Sequence, residues 1–509
     1  MLFASVMPSQ RLADRASESV SAQLEEFILD VEQYGALLNW VSMNPELLPA
    51  DEPIMYPWIQ AFIKFVADAL PEAVNNGRAS IPGPNARGPR RIIAFQLTNV
   101  VAVDSDDMRR PDIVLTEDIG QTEGGVANNR PAYWGAVGVI EVKRAKNGQR
   151  RAYEELFVYT RNIYANQYNR RFAWGLTICG TIVRACLFGH DKVIVSDVMD
   201  VSAASGRRRF VSLLVNWALC ESAQLGYDPT IQWVEADGMW NIEIYDETSQ
   251  ETHTCHDAMM RHNTTSVFGR HTRCFRAKMT ETVDGQVRET EVIIKDSWAH
   301  ASIANGIAPR NELAYLREIS DRLHNHGDLT GKYPHLNAGG IVRIRGSETP
   351  GVAIDDTTST FISDLGVQMI NYMPSRVHRR LAMSPIGRPL QTINTVDELI
   401  VVVHDVMCAH AAILEHCRIL HRDISINNIL IRGEGAQIVG MLIDFDYAVR
   451  TGGATGGQQN PDRTGTPPFM SIGNLELSSV ERTALDDWES LIYILCWLGT
   501  IGINLTDEQ

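Results

Sequence analysis

The chain has 509 residues, of which 44% are hydrophobic, so it is too long for a single core and should divide into two or more domains. Its net charge of −16 disfavours a polyanion as the general partner, and any contact with nucleic acid would need a local basic patch. No signal-peptide pattern opens the sequence, and the longest apolar run, 491–503, is too short to span a bilayer. These features predict an intracellular protein, of cytoplasm or nucleus, that has no membrane partner and that binds proteins or small molecules.

Three segments follow one another along the chain. Residues 1–75 have apolar spacing that is typical of helices and predict a helical lead-in. Residues 76–224 begin with a loop rich in Pro and Gly and continue with short β-like runs around one helix near 149–168, which predicts a small α/β domain. Residues 225–509 begin with β-like runs and become helical from about residue 302, which predicts a β-rich lobe followed by a helical lobe. The predicted fold class is therefore α+β.

The α/β segment contains two carboxylates and a lysine in a pattern that suggests metal chemistry. Asp112 follows a proline and precedes a β-like run, and Glu141 and Lys143 form an E-x-K pattern at the end of another. This P-D…E-x-K pattern resembles the restriction-endonuclease-like fold, in which metal ions activate a water molecule. On that reading Asp112 and Glu141 hold the metal, and Lys143 orients or activates water.

The same segment is locally basic. Residues 141–171 contain eight Lys or Arg and three acidic residues in an otherwise acidic protein. Such a patch could meet the phosphates of a nucleic acid, or it could be a solvated helix face that only aids solubility.

The carboxy-terminal segment contains the polar residues that phosphoryl transfer needs, in a fixed order. His421, Arg422 and Asp423 begin a loop that fits H-R-D-x-x-x-x-N, so Asp423 would accept the proton of the attacking hydroxyl and Asn428 would hold a magnesium ion. Asp444 follows an apolar run, as the aspartate of D-F-G does, and would be the main magnesium ligand.

A lysine and a glutamate complete this set upstream. Lys295 ends the run 292–295, which matches V-A-I-K, and would contact the α- and β-phosphates of ATP. Glu312 lies 17 residues further on in a predicted helix and is the natural ion-pair partner of Lys295. Gly269, in the segment 268–272, is the single glycine of the predicted phosphate-covering loop.

At these motifs the chain resembles the fungal-type protein kinases over most of residues 230–500. The shared motifs are RVHRR at 376–380, SPIGRPL at 384–390, HRDIS at 421–425, DFDYA at 444–448, GTPPFM at 465–470 and DDWES at 486–490. The resemblance implies a bilobal protein-kinase-like fold, ATP and Mg²⁺ as cofactors, and Ser/Thr hydroxyls of a protein substrate as acceptors. It also places Met383 in the adenine-binding hinge and makes Asp487 the support of the catalytic loop.

Departures from the usual kinase pattern keep other functions open. The phosphate-covering loop has one glycine, Ser425 replaces the usual lysine, residues 471–473 lack the A-P-E glutamate, and little sequence follows Asp487, which suggests a shortened helical lobe. A catalytically inactive pseudokinase that binds nucleotide or a partner is the main alternative. A small-molecule kinase is the third, although the segment 465–467 favours a protein substrate.

Overall fold

The computed structural model describes the chain in thirteen stretches that together contain two compact units. The described residues are 59–60, 63–64, 92–96, 111–117, 135–219, 222–234, 236–283, 286–301, 312–345, 353–360, 375–451, 465–476 and 482–500. The first unit comprises Met1–Gln232, Asn263–His271 and Arg343–Arg376, and the second comprises Trp233–His262, Thr272–Val342 and Val377–Gln509. The predicted helical lead-in lies outside the described residues, apart from two short helical pieces at 59–60 and 63–64.

The first unit is built on a mixed sheet. Its strands are β1 (Ile92–Gln96), β2 (Ile113–Glu117), β3 (Ala136–Lys143), β4 (Ala173–Cys179), β5 (Ile182–Phe188), β6 (Val193–Val195) and β7 (Met199–Asp200). They are ordered from β1 to β6, and β7 pairs with β5. Strands β3 and β4 are parallel, whereas β2 is antiparallel to both β1 and β3.

Helices cover this sheet and explain its apolar strands. Helix α1 (Gln149–Asn166) connects β3 to β4, and α2 (Ala204–Leu219) follows β7. Every residue of β4 is buried, and on α1 the buried positions include Ala152, Leu156, Tyr159 and Ile163 at helical spacing. A parallel pair needs such a crossover helix and is usually buried on both faces, which accounts for the continuous apolar runs.

Two segments from later in the sequence complete the first unit. Val267 is buried in the same apolar cluster as Val114 and Leu156. Strands β14 (Arg343–Arg345) and β15 (Ala353–Asp355) form an antiparallel pair. The buried Asp356, which follows β15, accepts two hydrogen bonds from Arg171, of 2.8 and 2.6 Å. The sequence-based division, with its boundary at residue 225, placed both of these segments in the carboxy-terminal segment 225–509, whereas contacts in the structure assign them to the first unit.

The second unit contains most of a seven-stranded sheet. Its strands are β8 (Ile231–Val234), β9 (Met239–Asp246), β10 (Glu251–Asn263), β11 (Arg273–Val283), β12 (Gln286–His300), β13 (His335–Ile341) and β16 (Arg376–Ser384). Their order across the sheet is β13-β16-β12-β11-β10-β9-β8. In the pairing of β11 with β12, Lys295 lies opposite Cys274.

One helix lies between β12 and β13 in the chain, and further helices and short strands follow the sheet. The helices are α3 (Glu312–Leu323), α4 (Val396–Ala412), α5 (Ile472–Leu475) and α6 (Ala484–Thr500). The short strands are β17 (Arg388–Pro389), β18 (Ile419–Leu420), β19 (Ile429–Arg432), β20 (Val439–Leu442) and β21 (Val449–Arg450). Helix α4 begins at a Thr395 cap, whose side chain accepts a bond from the Glu398 amide, as expected for a helix N-terminus.

One apolar cluster joins these elements, and it includes Leu316 of α3, Val406 of α4, Ile431 of β19 and Ile494 of α6. The α+β class predicted from the sequence is confirmed, with the β-rich part of this unit preceding its helical part. None of the described helices is both long enough and apolar enough to cross a membrane.

Candidate active site

One buried carboxylate, that of Asp487, holds the loop that precedes β19. Asp487, in the first turn of α6, accepts the backbone amides of His421 at 3.1 Å and Arg422 at 3.0 Å, and it bonds to His410 Nε2 at 2.9 Å. Burial acts to raise the pKa of Asp487, but the hydrogen bond from His410 and the nearby imidazoles lower it overall. Arg422 has φ of 69°, a strained conformation for a residue with a side chain. These bonds hold the backbone directly before Asp423.

Asp423 and Asn428 are bonded to each other within this loop. The Asn428 side-chain amide donates to the Asp423 carbonyl at 2.8 Å and to its carboxylate at 3.2 Å. The other carboxylate oxygen of Asp423 accepts both the backbone amide and the hydroxyl of Thr466, each at 2.9 Å. Burial raises the pKa of Asp423, which makes it a better proton acceptor than an exposed aspartate. A small cleft lies beside it, and its walls include Thr466, Phe469 and Arg482.

Lys295 lies at the centre of three carboxylates. Its ammonium donates to Glu312 at 2.7 Å, to Asp444 at 2.8 Å and to Asp446 at 2.9 Å, and its side chain is only 7% exposed. Burial raises the pKa of Glu312 to about 8, and Lys295 opposes this rise. The acidic side chains have ligand oxygens within 4.8 Å of one another, which is close enough to share a cation.

Strand pairing connects these two groups. Asn428 directly precedes β19, Asp444 is the second residue after the end of β20, and β19 and β20 are antiparallel neighbours. The Ile443 amide donates to the Asn428 carbonyl at 2.9 Å, and the Ile443 carbonyl bonds to the His421 ring at 3.0 Å. The structure therefore brings Asp423 and Asn428 to the same sheet end as Asp444, and Lys295 and Glu312 to Asp444.

The other two predicted nucleotide contacts are Met383 and Gly269. Met383 lies on β16, opposite Leu336, and packs against the apolar cluster of the second unit. Gly269 belongs to the first unit, where its amide donates to the His190 carbonyl at 3.0 Å. Phe268 packs against Phe157 of the same unit, with ring centroids 5.2 Å apart. The role of Gly269 in covering phosphates stays a prediction.

Sequence reasoning missed two contacts of this site. In the sequence analysis Asp446 appears only as a member of the motif DFDYA, and Thr466 only as part of the segment 465–467 that favours a protein substrate. The turn Phe445–Tyr447 returns the chain so that the Asp446 carboxylate reaches Lys295. A carboxylate two residues after Asp444 was the available signal, because both side chains then lie on one short turn.

A second polar group lies in the first unit, where the P-D…E-x-K pattern was recognised. The Asp112 carboxylate accepts the Val142 amide at 2.7 Å, which places Asp112 beside Glu141 on the neighbouring strand. The Lys143 ammonium bonds to Glu141 and, at 2.6 Å, to Glu155 of α1. The structure therefore brings Asp112, Glu141 and Lys143 together, and it adds Glu155, which the sequence reasoning did not include.

Glu141 is in an unusual environment. It is 2% exposed, and burial, with added effects of Glu155 and the Asp112 charge, raises the pKa of Glu141 to about 10. Within the described part of the chain its second oxygen, Oε2, is buried and has no hydrogen-bond partner. A buried carboxyl with this pKa and a neighbouring lysine is typical of functional sites, although structural networks also produce it.

The basic patch predicted around this site is smaller than the sequence suggested. Arg170 and Arg171 are buried, with 0% and 2% exposure, so neither can meet a ligand at the surface. Arg150 and Arg151 form ion pairs with acidic residues one helical turn away. The count of basic residues in 141–171 therefore overstated the positive charge of the surface.

Comparison with known proteins gives one family. A family model described as fungal protein kinase matches residues 110–499. No curated protein matched the chain. The matched region begins just before β2 and therefore includes much of the first unit, which extends the similarity well beyond the residues from 230 onward that carry the kinase motifs.

Proposed function

This chain belongs to the fungal protein kinase family, and from that premise we propose that it transfers the γ-phosphoryl group of ATP to serine or threonine hydroxyls of a protein substrate. The observation that carries the proposal is the arrangement around Lys295 and Asp423. The Lys295 ammonium donates to the carboxylates of Glu312 and Asp444. The Asp423 carboxylate accepts a bond from Asn428 and lies on the loop that Asp487 holds. Phosphoryl transfer depends mainly on positioning and electrostatics, which such fixed charges supply.

Each side chain then has a definite task. Lys295 would bind the α- and β-phosphates, with Glu312 holding the ammonium in place. Asp444 and Asn428 offer carboxylate and amide oxygens, which suit Mg²⁺, and the ion would neutralise charge on the phosphates. Asp423 would orient the acceptor hydroxyl and take its proton, a role that its raised pKa favours.

The acceptor side contains Thr466, which belongs to the segment 465–467 that favours a protein substrate. Thr466 bonds to Asp423 through both its amide and its hydroxyl, and so connects the base to the wall of the adjacent cleft. Ser425 is buried in the position where Ser/Thr kinases usually have lysine. Without that ammonium, transition-state charge is less well stabilised, and we expect slow transfer.

The test separates transfer from nucleotide binding. Transfer of radiolabelled phosphate to a generic protein acceptor should be present in the wild type and lost in Asp423→Asn and Asp444→Asn. Glu289→Gln, which changes an exposed carboxylate on β12, is the matched control and should keep full activity. Thermal shifts with ATP and Mg²⁺ are measured in parallel. A wild type that is stabilised by ATP but transfers nothing would favour the pseudokinase, and absence of both effects would refute the proposal.

A second candidate function belongs to the first unit, for which we propose metal-dependent cleavage of a nucleic acid. Asp112 directly precedes β2 and lies beside Glu141 and Lys143 of β3. The succession of β3, α1 and β4 is the strand-helix-strand order that this hypothesis requires. Two carboxylates suit a hard divalent cation, which would activate water there. Plasmid nicking that requires Mg²⁺ or Mn²⁺, that disappears in Lys143→Ala and that persists in the exposed control Arg150→Ala would support it. Identical nicking by the wild type and Lys143→Ala would refute it.

A further inference from the structure

The ammonium of Lys295 has three N–H donors, and all three have carboxylate acceptors. The distances to Glu312, Asp444 and Asp446 are 2.7, 2.8 and 2.9 Å. The ammonium nitrogen of Lys295 has no fourth N–H group that could donate a hydrogen bond. A phosphate oxygen can therefore bind Lys295 only if one of these carboxylates gives up its bond.

The three carboxylates are not equally able to withdraw. Glu312 is 6% exposed, and its other oxygen accepts the Phe445 amide at 3.1 Å, so it is held by the backbone of the same turn. Asp444 is the most exposed of the three side chains, at 28%, but it accepts the Asp446 amide, at 3.3 Å, and its φ of 67° makes its position depend on the strained backbone of the loop. Asp446 is 14% exposed, has no positive φ, and lies close enough to Arg379 for the two charges to interact. Its carboxylate can therefore leave Lys295 without a change in a strained backbone and while it stays near a positive charge.

We propose that Asp446 sets the affinity and the metal requirement of the nucleotide site, because its carboxylate occupies the Lys295 donor that a nucleotide phosphate takes. The inference rests on the proposed function and deepens it. Three carboxylates face one ammonium, so a phosphate that arrives alone meets excess negative charge. A nucleotide that arrives with a divalent cation brings the compensating charge. Asp446 thus favours the metal complex of a nucleoside di- or triphosphate over the free nucleotide.

The experiment measures ADP binding by calorimetry, with EDTA and with Mg²⁺, to the full-length wild type and to Asp446→Asn. Loss of one charge-assisted competitor for Lys295 should tighten binding of free ADP about tenfold. Binding of ADP with Mg²⁺ should tighten less. Asp446→Ala should change affinity in the same direction, whereas Asp446→Glu keeps the charge and should stay close to the wild type.

Adenosine is the internal control, because it has no phosphate and its affinity should be the same in all four proteins. Unchanged ADP affinity in both Asp446→Asn and Asp446→Ala would overturn this inference and leave the proposed function intact. Weaker binding of ADP with Mg²⁺ in these variants would also overturn it, because Asp446 would then be helping to hold the metal. Failure of every variant and of the wild type to bind ADP would refute both.

Discussion

Replacement of Asp487 by asparagine tests the support of the catalytic loop. The wild-type carboxylate is 3% exposed and accepts three N–H groups, from the amides of His421 and Arg422 and from the His410 ring. Asparagine has nearly the same shape, but it has one acceptor oxygen and presents an NH₂ group to at least one of these donors. The change therefore removes hydrogen bonds and the charge while it leaves the packing intact.

The expected cost follows from those bonds. A hydrogen bond to a charged group contributes about 1.5–3 kcal/mol, and a buried amide left without an acceptor costs about 1–3 kcal/mol. With at least one such loss, Asp487→Asn should lower the free energy of unfolding by about 3 kcal/mol. The neighbouring Asp486→Asn is the matched control. That carboxylate is more exposed and accepts from Ser471 and Thr483, so about 1 kcal/mol is expected.

The pH dependence gives an independent check of sign. The pKa of Asp487 lies below its ordinary value of 3.8 in the folded state, so the carboxylate stabilises the fold above pH 3.8 and loses that effect as pH falls through the folded pKa. Urea unfolding of the wild type and the variant should differ most at pH 7 and less below about pH 4. A difference under 1 kcal/mol at pH 7, or one that does not shrink in acid, would refute this reasoning. Phosphate transfer should fall with Asp487→Asn even at temperatures where the variant is folded, because fewer hydrogen bonds then hold the backbone directly before Asp423.

Three further predictions concern single contacts. Thr466→Val removes the hydroxyl bond to Asp423 but keeps the backbone bond. Because one hydrogen bond to a charged group is lost, we expect kcat/KM to fall about tenfold in the phosphate-transfer assay. An unchanged kcat/KM would contradict this prediction. Arg171→Met leaves the buried Asp356 carboxylate without its ion pair and should destabilise the first unit by about 3–5 kcal/mol, measured by urea unfolding. The pKa of Glu141 is raised to about 10, so its protonated form stabilises the fold at low pH, and this stabilisation is lost as pH rises. The free energy of unfolding of Glu141→Gln should therefore rise relative to that of the wild type between pH 6 and pH 9. The rise should be at most about 1.4 kcal/mol per pH unit.

Much of the candidate kinase site could be predicted from residues that are close together in the sequence. Asp423 and Asn428 are on one loop, and their bond depends on a spacing of five residues that can be read directly from the sequence. The α+β class was predictable for a similar reason, because strand and helix patterns are local. The family match confirms the kinase resemblance that these motifs carried.

Other contacts depended on how distant strands and helices pack. Lys295 and Asp446 are separated by 151 positions, and no spacing rule predicts that both reach the same point. Glu155 meets Lys143 only because α1 packs on the sheet with that face inward. In the same way, the sequence places Arg171 in a basic patch, whereas in the structure it is buried and forms an ion pair with Asp356, 185 positions later.

The sequence by itself thus determined which chemical groups are available and the short loops that hold them, because those depend on neighbouring residues. Only the tertiary structure decided which carboxylates surround Lys295, which arginines are buried, and that residues 263–271 and 343–376 belong to the first unit. These features arise from burial and from contacts between residues far apart in the chain, whose energies depend on the complete packed arrangement.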